Sequence, residues 1–282
     1  MNSQDKPSSS HKKLNRRHWL AFGVASAGVT GFVTTGTNAA TGKAGAAALP
    51  LTAQATEGPY YFDAGKVRAD ITEGLPGVPL DIRFAVMDSS GAPVPNARVD
   101  VWHCNAAGIY SGYAGQGDSR NISAVGVTFL RGTLTTGADG LVVFRSVYPG
   151  WYEGRTTHIH FKVFSGTRTL LTSQFFLPDA LSEFLYTNLP GYKRQQVRDI
   201  LNRNDGIALM TGSTVLGTVR EEADRYVASL DLVVDPLASH TARRPPASSE
   251  RLGPPPGSPG RDRPMTAAER LSALVPAASA QK

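Results

Sequence analysis

Cysteine is almost missing from this chain: Cys104 is the only one in 282 residues. A single thiol excludes an intramolecular disulfide framework and every thiolate-rich metal site. No stretch approaches the roughly 18 unbroken apolar residues of a stable membrane span. Charge is sparse as well, at 18% of residues, and the net +6 is uneven. Residues 1–48 hold six Lys/Arg against one acid and residues 238–282 hold seven against three, which leaves 49–237 with 16 basic against 19 acidic residues. The high pI therefore belongs to the tails, and a nucleic-acid partner for the middle of the chain loses its support. At 41% hydrophobic residues, the chain does have enough apolar content for a sizeable core.

What is present divides into three stretches. Residues 1–48 look like a targeting segment. Basic residues end in Asn15-Arg16-Arg17-His18-Trp19-Leu20, the weakly apolar run Trp19–Val33 follows, and small residues from Ala39 to Ala48 offer cleavage points. Paired arginines before such a run resemble a twin-arginine signal, so export to the periplasm or beyond is expected. Residues 238–282 carry eight of the 19 prolines, including Pro254-Pro255-Pro256. That composition buries too little apolar surface to offset ordering entropy and predicts disorder, with one short helix at Thr266–Leu274.

The stretch 49–237 reads as all-β, an antiparallel sandwich with long loops and a short helical insertion. Leu80–Val86 alternates apolar and polar residues and ends in the turn formers Asp88-Ser89-Ser90-Gly91. Ala97–Trp102, Gly126–Thr135, Leu141–Ser146, His158–Phe164 and Thr169–Phe176 follow at the spacing of a sandwich, and Arg225–Val234 closes the sheet. Between Pro178 and about Leu201 the apolar spacing widens to that of helices, the second piece at Gln195–Leu201 ending at Asn204-Asp205-Gly206.

The chemistry concentrates around His158-Ile159-His160. Residues two apart on a strand share a face, so both imidazoles project to one side, suitable for two ligands of one metal. No carboxylate accompanies them as an iron(II) facial triad would require. Tyrosine accompanies them instead, upstream in Tyr148–Tyr152 and further back at Tyr110. A phenol, with its ordinary pKa near 10, ligates well only when a strongly Lewis-acidic ion displaces its proton, which points to ferric iron.

Four motifs in order carry a family resemblance: Thr56-Glu57-Gly58-Pro59-Tyr60-Tyr61, Gly91 through Trp102, Gly154-Arg155-Thr156-Thr157-His158-Ile159-His160-Phe161, and Ser173-Gln174-Phe175-Phe176-Leu177-Pro178. Together they resemble the intradiol ring-cleavage dioxygenases, non-haem iron(III) enzymes that open catechols between the two hydroxylated carbons. The resemblance implies one Fe(III) per chain held by Tyr110, Tyr152, His158 and His160, and no organic or haem cofactor. It implies that Tyr152 is the ligand displaced by substrate and a proton acceptor, with Tyr148 the alternative at that position. It implies that Arg155 stabilises anionic charge on the ring, that Gln174 positions substrate, and that Gly58, Pro59 and Tyr60 form a cavity wall. Substrates would be a small aromatic diol and O2, and the product a cis,cis-muconate-type diacid.

His103 and Cys104 read as structural. Thr156-Thr157 replaces the Pro-Ala of protocatechuate enzymes, and the stretch before Leu80 has no space for the helical dimerisation domain of catechol 1,2-dioxygenases. The second departure leaves the substrate and any homo-oligomer open, and the first is consistent with a smaller, exported branch of the family. A rival class also remains, a metal-free transthyretin-like binding module, since Gly91–Val101 with Thr135–Phe144 also resembles that sandwich.

Overall fold

The structure is a computed structural model, and it describes residues 47–240 and Leu274. The expected export signal and Pro-rich tail lie outside the described residues. So does the expected helix at 266–274 except for Leu274, whose backbone is helical. Among the described residues no helix is long and apolar enough to cross a membrane.

Alternation decides the strands. β1 (Pro79–Met87) turns Leu80, Ile82, Phe84 and Val86 to one buried face and leaves the residues between them more exposed. β2 (Arg98–Trp102), β3 (Arg131–Thr135), β4 (Leu141–Val147), β5 (His158–Ser165) and β6 (Arg168–Phe176) follow. After two short helices come β7 (Thr218–Glu221) and β8 (Tyr226–Val233). They form two four-stranded sheets, ordered β4-β1-β8-β7 and β3-β2-β5-β6. Their facing sides bury one core containing Leu80, Phe84, Phe144, Ile159, Phe161 and Phe175. The fold is the expected β-sandwich.

Four expectations need correction. The sandwich is not wholly antiparallel, because β1 and β8 pair in parallel. Apolar alternation marks faces, not directions, and β8 reaches β1 only after the second sheet has been laid down, a crossover long enough for parallel pairing. The strand expected over 126–135 is confined to its second half, because Gly126 (φ 84°) and Leu130 (φ 56°) leave the extended region. Residues 195–201 are not helical. Asn204-Asp205-Gly206, expected to end a helix, begins one: α1 is Asp179–Asn188, and Asp205 caps α2 (Gly206–Thr211) by accepting the Ile207 and Ala208 N–H groups. The edge strand β7 was not expected at all.

From His158 to Val163, β5 is buried on both faces. Ile159, Phe161 and Val163 enter the core between the sheets, while His158, His160 and Lys162 point the other way and are also buried. Loops cover that outer face.

Candidate functional site

On the outer face of β5, the Nε2 atoms of His158 and His160 lie 3.0 Å apart. The Nδ1 of His158 is 2.7 Å from the carbonyl of Thr156. A carbonyl only accepts, so Nδ1 carries the proton and Nε2 presents its lone pair to the centre. The Tyr152 hydroxyl is 3.2 Å from that Nε2 and the Tyr110 hydroxyl 3.4 Å. Four donor atoms from three separate segments thus gather around one point.

Each segment is placed by local chemistry. Tyr110 follows a turn in which the Asn105 side chain accepts the N–H groups of Ala107 and Ile109. Gly108 in this turn has φ 78°, and a Cβ there would lie 2.2 Å from the Trp151 carbonyl oxygen. Only glycine lets the Tyr110 loop approach the loop that carries Tyr152. Tyr148, the alternative to Tyr152, belongs to the core between the sheets, and its hydroxyl pairs with Ser182 at 2.8 Å. It takes no part in the cluster.

Two of the three expected cavity-wall residues, Gly58 and Tyr60, adjoin it. Tyr60 stacks on Tyr110 with ring centroids 4.4 Å apart, and Pro59 next to it is partly buried. A Cβ on Gly58 would lie 3.1 Å from Cε1 of His160. Trp102 stacks on the His160 ring at 4.9 Å and 10°. The Nδ1 of His160 is buried without a partner, so this ring is held by packing.

Arg155 and Gln174 form a second layer. Gln174 lies opposite His160 in the register of β5 and β6. Its side chain accepts from Arg155 Nη2 and donates to the Thr56 carbonyl at 3.0 Å. Arg155 Nε donates to Asp205 Oδ2 at 2.8 Å, and the same oxygen accepts the Thr156 N–H. Asp205 was missed as a site residue. The available signal was an Asp ahead of the apolar run Ile207-Ala208-Leu209-Met210, which is an N-cap pattern. His103 and Cys104 are buried with partners of their own. His103 spans the Cys104 carbonyl and the Ser146 hydroxyl, and Cys104 Sγ is near the Gly150 carbonyl.

Burial keeps all four central groups neutral. It lowers His158 to about 3 and His160 well below its usual value, the charge of Arg155 acting in the same direction. It raises Tyr110 and Tyr152 above the ordinary phenol range, against the pull of Arg155. Among the described residues no three His, Cys, Asp or Glu side chains assemble, so the imidazoles find their companions in phenols. Two imidazole lone pairs and two buried phenols suit a hard cation acidic enough to displace phenolic protons.

A family model described as dioxygenase matches residues 56–186. Catechol 1,2-dioxygenase 1 of Acinetobacter lwoffii is 28% identical over 56% of this chain and 56% of that protein. The beta chain of protocatechuate 3,4-dioxygenase from Burkholderia cepacia is 35% identical over 42% of this chain and 56% of that one. The chain thus spans about half the length of the curated relatives it matches. A solved intradiol ring-cleavage dioxygenase from Tetranychus urticae superposes with a TM-score of 0.63 at 26% identity, covering 68% of this chain and 98% of that one.

Proposed function

Because the chain belongs to the intradiol ring-cleavage dioxygenase family, we propose that it opens a catechol-type aromatic with O2 to a cis,cis-muconate-type diacid. The bond between the two hydroxylated carbons breaks and both oxygen atoms enter the product, so no external reductant is consumed. The observation that carries this reading is the approach of two phenols and a second imidazole to within 3.4 Å of His158 Nε2. Tyr110, Tyr152, His158 and His160 would hold one non-haem Fe(III). When bound, this ion supplies Lewis acidity that draws the catechol into its ionised, O2-reactive form.

The remaining work falls to the chain. Tyr152 is a neutral phenol without the ion, and as the phenolate it would become beside a Lewis-acidic cation its Oη would accept a proton from a substrate hydroxyl. The Arg155 guanidinium is locked by Asp205 and Gln174 and places a fixed positive charge where the ring becomes anionic. Gln174 is pinned to Thr56, ties that charge to the wall segment and orients substrate. Tyr60 lends an aromatic surface beside Tyr110, and the loops over β5 exclude water. A metal-free binding module would have no use for two buried phenols aimed at an imidazole.

Residues 49–237 serve as the catalytic unit in this reading, and the Arg16-Arg17 segment supports export of the protein. Two measurements test the activity. Purified protein loaded with iron should be reddish from tyrosinate-to-iron charge transfer, and Tyr110→Phe should bleach it. Oxygen uptake should occur with at least one of catechol, protocatechuate and hydroxyquinol. A colourless preparation that gains no colour with iron salts in air, or a 2-hydroxymuconic semialdehyde product, would overturn the proposal.

A further inference from the structure

The segment that brings Gly58 and Tyr60 to the four donors is an arch, and one side chain touches both of its feet. Just before the arch, the chain is stitched to β6. The Ala55 N–H donates to the Thr172 carbonyl at 2.8 Å, the Gln54 side chain accepts the Thr172 N–H at 2.9 Å, and Gln174 donates to the Thr56 carbonyl at 3.0 Å. Glu57 is the first foot, and its Oε2 accepts from Lys162 Nζ at 2.7 Å. Tyr61 is the second foot. Its hydroxyl donates to Asp100 Oδ2 at 2.8 Å, and the same Lys162 ammonium lies 4.3 Å from the centre of its ring. Between the feet, Gly58 approaches His160 and Tyr60 stacks on Tyr110.

Lys162 follows His160 by two residues on the outer face of β5, and the register sets it opposite Asp100 of β2. The Asp100 carboxylate is already engaged by Arg98, Tyr61 and Thr133. The counter-charge for Lys162 therefore comes from the loop, through Glu57. The two side chains are only 7% and 12% exposed. Desolvating both charges offsets much of their attraction, and a well-packed apolar pair of similar volume is often no less stable. What the ion pair adds is a defined partner at a defined place. A cation over an aromatic face is held most strongly where water is excluded, so one charge acts on both feet.

We propose that Lys162 is a positioning residue. It grips Glu57 by charge and Tyr61 by its ring face, and so fixes Tyr60 against Tyr110 as the surface on which an aromatic diol is seated. Its effect on substrate passes through Tyr60. The seating of substrate rests on the ring-cleavage reading; the hold on Tyr60 does not.

The test compares full-length Lys162→Met, Lys162→Arg and Glu57→Gln with the wild type. In metal-free protein, near-ultraviolet circular dichroism reads the Tyr60–Tyr110 stack without iron. Lys162→Met keeps the stem but loses the charge and should weaken the tyrosine band. Glu57→Gln keeps the side-chain shape, releases one foot and should weaken it less, which also serves if Lys162→Met does not fold. Lys162→Arg keeps a cation for both feet and should restore the band. In iron-loaded protein without O2, the Kd for catechol, read from the visible spectrum, should rise about tenfold in Lys162→Met. In a Tyr60→Leu background the same change should add less than about twofold, since the two residues act in series. An unchanged tyrosine band in folded Lys162→Met or Glu57→Gln, or a tenfold effect that persists without Tyr60, would overturn the proposal. A wild type that takes up no iron colour, while Lys162→Met still loses the tyrosine band, would overturn the ring-cleavage reading and uphold the grip on the arch.

Discussion

Asp205 divides its two oxygens between two tasks. Oδ2 holds Arg155 and the Thr156 N–H, while Oδ1 caps α2. Burial alone would raise this carboxyl, but Arg155 and the N–H donors overcome it and hold it below the usual carboxylate range. A folded-state pKa below the unfolded one stabilises the protein above the unfolded value, about 3.9, and that contribution is lost as pH falls through the folded value. Asp205→Asn should therefore cost roughly 2–4 kcal/mol near neutral pH, flatten this part of the acid limb in a Tm-versus-pH series, and slow turnover by freeing Arg155. The histidines act over a higher window. Burial lowers His103 to about 4 and His158 to about 3, and it lowers His160 as well. Below about pH 6.5 the unfolded chain takes up protons that the metal-free fold excludes, so stability falls on acidification by about 1.4 kcal/mol per pH unit for each histidine in its window. Urea unfolding of metal-free protein at pH 7.5, 6 and 5 should show midpoints that decrease in that order, and a flat series would contradict neutral buried imidazoles.

At the scale of elements, the site is made by a strand and the loops laid over it. The Tyr110 and Tyr152 loops meet at Gly108, where a Cβ would strike the Trp151 carbonyl in a backbone conformation with φ 78°. Gly108→Ala should cost roughly 2–4 kcal/mol and weaken the iron-dependent colour, because the two phenols are driven apart; denaturant unfolding and the visible spectrum report the two effects separately. The strands were largely legible because their signal is local: Leu80, Ile82, Phe84 and Val86 declare a face within seven residues. The helical segment was less so. Gln195–Leu201 has helical spacing, yet a different use of these residues wins. Arg198 is drawn to Asp179, and Asn204 accepts the Leu201 N–H, so the chain is committed to tertiary partners instead of its own i→i+4 ladder.

For the whole molecule, the decisive arrangement is that the core and the site lie on opposite faces of one sheet. Ile159 and Phe161 belong to the hydrophobic interior, and their neighbours His158 and His160 to the site. Stability and chemistry should then separate on mutation. Phe84→Ala, in the core against Phe161 and Phe175, should lower global stability by about 3–5 kcal/mol. The charge-transfer maximum of protein still folded should stay where it was, and a shifted band would show that the core sets the geometry of the ligands.

The pair of imidazoles on one face could be read directly from the sequence, because side-chain alternation in an extended chain is a local property that needs no partner. The β class and most strand positions followed from the same local rule, and the expected donor residues came from the family resemblance that the motif order carries. Three features were decided only by tertiary closure. Tyr152 rather than Tyr148 turns toward the imidazoles, Asp205 locks Arg155 from 50 residues away, and Tyr110 meets His158 across 48 residues. These depend on how distant loops pack over a sheet face. Such packing is set by long-range contacts and close backbone approaches, which no short window of sequence contains.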